Sequence, residues 1–249
     1  VAFFIPPVMF RHKGKTRTFK HNLRLAALLS FIAGLVNITG VLQLNILTTN
    51  VTGHFAFFAE ELMLQKYVLA FSFLLYILAF LAGSFVANFT IEYYIKKGKS
   101  AAHKYPMVLE ITILFIVGIG GNTFISNGLS QTVIACILLF SMGVQNSLVT
   151  QISSSTVRTT HLTGLFTDLG IELSQLFFYK ERKQKEKLYK SIELRSAIIL
   201  CFFLGCILGG FIYSSLLLGI LVIASLLLTV ALIYDIIIYK YYNFFRKRR

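Results

Sequence analysis

Read for hydropathy alone, the chain is a succession of long apolar runs separated by shorter polar ones. Crossing a hydrocarbon layer of about 30 Å takes roughly 20 residues of helix. Six runs meet that length, near 23–44, 67–92, 107–126, 130–151, 193–213 and 217–239. Two shorter, half-polar stretches, 48–63 and 159–178, lie after the first and fourth runs. The pattern predicts an all-α membrane protein with six transmembrane helices and two short half-helices, re-entrant or interfacial.

The polar positions recur. FIAGLVN (31–37) is echoed by FSMGVQN (140–146), both FxxGxxN, and TTNVTGHF (48–55) by TTHLTGLF (159–166), both TTxxTGxF. The echo runs on through Glu61-Leu62 and Glu172-Leu173, then through FLAGSFVA (80–87) and FFLGCILG (202–209). A duplication follows: a first repeat over 22–126 holding half-helix 48–63, and a second over 127–240 holding half-helix 159–178. A basic segment (1–21) and a basic tail (241–249) flank them. Three crossings per repeat is an odd number, so the second copy is expected upside down relative to the first, as in carriers that hold solute where two inverted halves meet.

Composition sharpens this. With 56% hydrophobic and 14% charged residues and a mean hydropathy of +0.74, the chain departs from soluble domains. The net charge of +14 does not point to nucleic acid, because the basic clusters flank apolar spans. With the N-terminus inside and six crossings, every one of the 24 Lys and Arg residues except Lys66 is cytoplasmic, as the positive-inside rule favours. Both termini are then cytoplasmic. A full crossing by 48–63 would put the cluster Lys96 to Lys104 outside, so each half-helix is expected to enter and leave on one side. The opening VAFFIPPVMF is short, holds two prolines and lacks a small-residue cleavage site, so it does not read as a removed signal peptide. Cys136, Cys201 and Cys206 fall in apolar spans without metal or redox spacing. No metal site and no cofactor is expected.

The TTxxTG turn supplies the candidate chemistry. Irregular backbone at membrane depth survives only where protein or water shelters it. Thr48, Thr49, Thr159 and Thr160 suit the start of a short helix, where hydroxyls accept from amides that otherwise lack partners. The free amides and positive dipole end favour an anion. Substrate binding is therefore assigned to Thr48, Thr49, Asn50, Thr52, Gly53 and His54 in the first copy, to Thr159, Thr160, His161, Thr163 and Gly164 in the second, and to Asn37, Gln145 and Asn146 on the preceding spans. Asn50, His54, Phe57 and Glu61 share one helix face; the second copy places His161, Leu165, Asp168 and Glu172 there. Glu61, His161, Asp168 and Glu172 are candidate proton-coupling groups, with a proton shared between His161 and Asp168.

Plainer readings stand beside these. The half-helices can lie at the interface with acidic residues facing water, each histidine can be a hydrogen-bonded packing residue, and Asn37, Gln145 and Asn146 can be structural bonds between helices. Gly83 with Ala87, and Gly205 with Gly209, suit tight helix packing, or a homodimer. Glu110 and Asp235 lie near cytoplasmic ends, where they can snorkel or pair with basic loops, and receive no function.

The FxxGxxN and TTxxTGxF residues together resemble the YoaK-like family of small bacterial membrane proteins, usually described as a domain of unknown function. The resemblance covers about residues 22–240 and implies a multi-pass protein of the bacterial cytoplasmic membrane. It carries no catalytic residues over. The family pattern has an acidic residue at the position of Asn37 and an asparagine at that of His54, so it implies no role for those two side chains.

The function expected is a secondary transporter or channel for a small anionic solute, proton-coupled, with its site between the half-helices. The alternative is a non-transporting scaffold or lipid-interacting protein; an intramembrane enzyme is disfavoured because HExxH and GxSxG are absent and GIGGN (118–122) lacks the lysine of a phosphate loop. Membrane lipid and a small solute are the expected partners.

Overall fold

A computed structural model describes residues 18–99 and 101–247, and among these it is all-helical. The readings of 1–17 and of the last two residues lie outside the described part. The elements are α1 (Phe19–Leu44), α2 (Val51–Met63), α3 (Tyr67–Lys96), α4 (Lys104–Ser126), α5 (Gln131–Ser153), α6 (Leu162–Phe178), α7 (Arg182–Leu216), a 3-10 turn (Leu217–Gly219) and α8 (Ile220–Lys247).

Among the described residues five stretches are long and apolar enough to cross a membrane: α1, α3, α4, α5 and the 57-residue run Arg182–Ile238. The last run takes in both of the final spans expected from the sequence. Its helix breaks at Leu217, where φ 50 and ψ −126 leave the helical region. The expected half-helices appear as α2 and α6, each starting within a few residues of its predicted boundary.

Burial shows which helices are central. The apolar windows of α1 and α5 are each 61% buried, against 22% for α3 and 28% for α4. Leu25, Leu29 and Ile32 of α1 meet Leu138, Leu139 and Met142 of α5 in one core with Leu114 of α4 and Leu221 and Leu228 of α8. The outer helices turn Phe85, Phe89, Phe203 and Phe211 outward, the face a chain presents to lipid.

Packing crosses between the halves of the chain. α1 lies along α7, α3 along α5, and α4 against α8, while α2 packs on α3 and α6 on α7. The glycines explain the first two pairs. A Cβ on Gly34 would overlap the Phe202 carbonyl oxygen, and one on Gly205 the Phe31 oxygen; Gly83 stands in the same relation to Phe140, and Gly143 to Phe80. Each FxxG segment thus sets its glycine on the Phe carbonyl of another FxxG segment. Contacts this close bring Cα–H groups onto carbonyl oxygens, worth about 0.5–1 kcal/mol each, and small residues drive helix association where lipid supplies no hydrophobic force. The flanking bonds repeat as well: Ser84 Oγ donates to the Gly143 carbonyl at 3.1 Å and Cys206 Sγ to the Gly34 carbonyl at 3.4 Å.

Of the two readings of the small-residue faces, packing is the one realised. Gly83 and buried Ala87 sit on α3, which packs on α5, and Gly205 and Gly209 lie against α1. A homodimer would have to use a different surface.

Candidate functional site

In the first copy, α1 ends at Leu44 and Asn45 adopts the left-handed conformation (φ 55), its amide donating to the Val41 carbonyl and the Ile46 amide to the Gly40 carbonyl. The chain then folds back over α1. It can do so because Gly40 has no Cβ to meet Ile46 O at 2.9 Å. Thr48 is fully buried there, its hydroxyl without a hydrogen-bond partner. Thr49 donates to Asn37 Oδ1 at 3.0 Å, tying the start of α2 to the FxxGxxN turn of α1. Asn50 caps α2 by accepting from the Gly53 amide at 3.1 Å.

His54 is buried on the first turn of α2. Its Nε2 donates to the Leu47 carbonyl at 2.8 Å, and its ring lies against Phe73 and Tyr76 of α3. Burial pushes the imidazole below its usual pKa range, and the bond to Leu47 opposes that. These partners make His54 a packing residue that fixes α2 on α3. Thr52 faces outward, and Glu61 pairs with Lys66 at 3.7 Å.

The second copy repeats the tie. α5 ends at Ser153 with left-handed residues at Ser154 and Ser155. Thr159 is buried with an unpartnered hydroxyl, like Thr48. Thr160 donates to Asn146 Oδ1 at 2.7 Å, and Asn146 Nδ2 donates to the Met142 carbonyl at 2.8 Å. The copies then diverge. His161 is exposed and gives α6 no side-chain cap, Gly164 leaves room for its ring, and Leu165 occupies the place of His54. Thr163 is exposed.

Among the described residues no hydrogen bond joins His161 to Asp168. Asp168 instead accepts from Arg195 Nη2 at 3.1 Å, and Arg195 Nη1 also donates to Glu172 and to Ser191. Arg195, on the basic N-terminal part of α7, thus stands as a cation between two carboxylates of α6. Nor do α2 and α6 form a packing interface; each lies on its own neighbour. The two ties are separate, and they are linked through α1 and α5, which pack on one another.

Gln145 lies elsewhere again. It is fully buried on α5 and donates from Nε2 to Oε1 of Glu110 on α4 at 2.8 Å. Glu110 is buried in the bundle rather than reaching a basic loop, and sequence reasoning passed over it. Its one signal was position: a lone acid inside an apolar span.

The profile of the family described as "Protein of unknown function (DUF1275)" matches residues 25–234. The chain belongs to this family. It is also 25% identical over 191 residues to the UPF0700 transmembrane protein YoaK of Bacillus subtilis (strain 168), covering 74% of this chain and 80% of that relative. No solved structure matches it. Both FxxGxxN segments and both threonine ties of this DUF1275 member fall within the matched region.

Proposed function

We propose that this protein is a secondary carrier or channel, not an enzyme, moving a small anionic solute across the bacterial cytoplasmic membrane with proton coupling. The reading rests on one observation: the same unit, a glycine-contacted central helix tied by an Asn–Thr bond to a short helix, occurs twice and interlocks reciprocally. A run of 57 residues is about 85 Å as helix, far more than one ~30 Å crossing needs, and its break at Leu217 supports two crossings. This supports six crossings in two inverted repeats, with both termini cytoplasmic. Inverted halves of this kind suit alternating access. The unpartnered hydroxyls of Thr48 and Thr159, each at the approach to a helix N-terminus, support an anionic solute.

A specific observation favours a second reading, a lipid-interacting protein. An open apolar groove of about 470 Å³ lies between α3, α4 and α5, lined by residues including Leu75, Ala79, Ile113 and Phe140.

Flux into liposomes with a panel of inorganic anions and organic acids, with and without a pH gradient, separates the two. Uptake by wild type that weakens in Thr48→Val and Thr159→Val supports the carrier. Absence of flux for every solute, with lipid retained through purification, sinks it. Lys99→Cys should react with an impermeant maleimide only from the cytoplasmic side; labelling from outside would overturn the inverted topology.

A further inference from the structure

Glu110 is fully buried among apolar side chains of the bundle, with Met107 and Leu114 buried on the same helix. Its Oε1 accepts from Gln145 Nε2 at 2.8 Å, whereas its Oε2 and the Gln145 Oε1 both lack partners. Among the described residues it has no ion pair. Holding an ionised carboxylate away from water is costly, and a single neutral amide donor is poor compensation.

The two unpartnered atoms belong to one pair and are complementary. A proton on Glu110 Oε2 makes it a donor, and Gln145 Oε1 is an acceptor, so an acid facing a primary amide can close a ring of two hydrogen bonds. A hard metal cation would want six or more oxygens, and this pair offers few. The arrangement fits one proton.

Gln145 also precedes Asn146, whose side chain holds Thr160 at the start of α6. Whatever moves this turn of α5 moves both. α4 packs on α3, α5, α8 and the 3-10 turn. The titratable groups on these elements are Cys136 on α5; Tyr234, Asp235, Tyr239 and Lys240 with the tail residues beyond on α8; and Tyr67, Tyr76, Glu92, Tyr93, Tyr94 and Lys96 on α3. His103, Lys104 and Tyr105 lie at the head of α4 itself.

We infer that Glu110, held by Gln145, carries the coupling proton of this protein. A proton taken from water on one side bonds to Oε2, neutralises the carboxyl and lets the Glu110–Gln145 ring close. Opening of the α4–α5 contact toward the other side returns that proton to water and leaves the carboxylate. This deepens the carrier reading and rests on it, and it moves the coupling role from Asp168 and Glu172, whose charges Arg195 already meets.

Dicyclohexylcarbodiimide adds to protonated carboxyls in apolar surroundings, so it reads this site without knowledge of the solute. The full chain in liposomes, treated at neutral pH and mapped by mass spectrometry, should carry the adduct on Glu110. Labelling should fade as the medium is made alkaline and vanish in Glu110→Gln, while Asp168→Asn leaves it unchanged. An unlabelled Glu110 beside a labelled Asp235 overturns the inference, using wild type alone. Flux whose proton dependence survives Glu110→Gln also overturns it, yet leaves the carrier standing. Labelling without any wild-type flux removes the coupling role together with the carrier.

Discussion

Replacing Gly83 with alanine tests the interlocked packing most directly. The added Cβ would stand 2.8 Å from the Phe140 carbonyl carbon, about 0.6 Å inside the 3.4 Å at which ordinary contact begins, and would overlap the oxygen outright. The obstacle is backbone, so no rotamer change relieves it. α3 and α5 must separate by on the order of 1 Å, and a gap of that size forfeits a quarter to a half of each contact's attraction. Overpacking of this kind costs about 1–3 kcal/mol, or roughly 2–12 °C in apparent melting temperature for a chain of this size. Cys136, Cys201 and Cys206 are free and partly buried, so a thiol-reactive fluorogenic dye in detergent follows the unfolding. Gly170→Ala is the control, since nothing lies within 4 Å of its Cβ, and it should melt at or slightly above wild type. Gly34→Ala combined with Gly205→Ala should cost less than the sum of the two, because both press on one contact; Gly34→Ala with Gly83→Ala should add, because they press on different ones. Gly83→Ala melting with wild type, or full additivity within the Gly34–Gly205 pair, would refute the reciprocal contacts.

The other expectations concern the polar ties. Asn37→Ala and Asn146→Ala each remove one hydrogen bond to a half-helix and should each cost about 1 kcal/mol in the same melting assay. Arg195→Ala should destabilise by about 1–3 kcal/mol and Asp168→Ala by about 0–1 kcal/mol, because the Glu172 side chain is only 13% exposed and that of Asp168 is 52% exposed; the reverse order would mean the cluster is a solvated surface. Burial holds His54 below the 6.5 of a free imidazole, so the unfolded chain takes up more protons as pH falls. Its contribution is intact above 6.5 and is lost as pH drops from there through the lower folded-state value. Thermostability measured by size exclusion from about pH 7 to 5.5 should therefore decline less steeply in His54→Gln than in wild type.

Much of this was legible in the sequence because the repeat is local. FxxG and TTxxTG are short strings whose geometry is decided within a turn or two, and both recur at nearly constant spacing. Gly83 and Gly205 could be read as packing residues, since small residues four apart on an apolar helix have few other uses. What could not be read was pairing across the chain. Arg195 lies 27 residues from Asp168 inside a basic stretch that topology alone explains, so nothing local singled it out. Glu110 and Gln145 are 35 residues apart, and beside the Lys96 to Lys104 cluster a lone acid reads as snorkelling. Only the rotation of α4 against α5 turns it inward.

The reciprocal glycine contacts also bear on how the protein is made. Gly34 meets its partner strip only when Cys206 and its neighbours have been synthesised, 172 residues later. At about 5–20 residues per second, the packing face of α1 waits roughly 9–34 s in the membrane without its mate. Neither half of the chain can complete its own glycine contacts, so separately expressed halves should be short-lived and should persist only when made together.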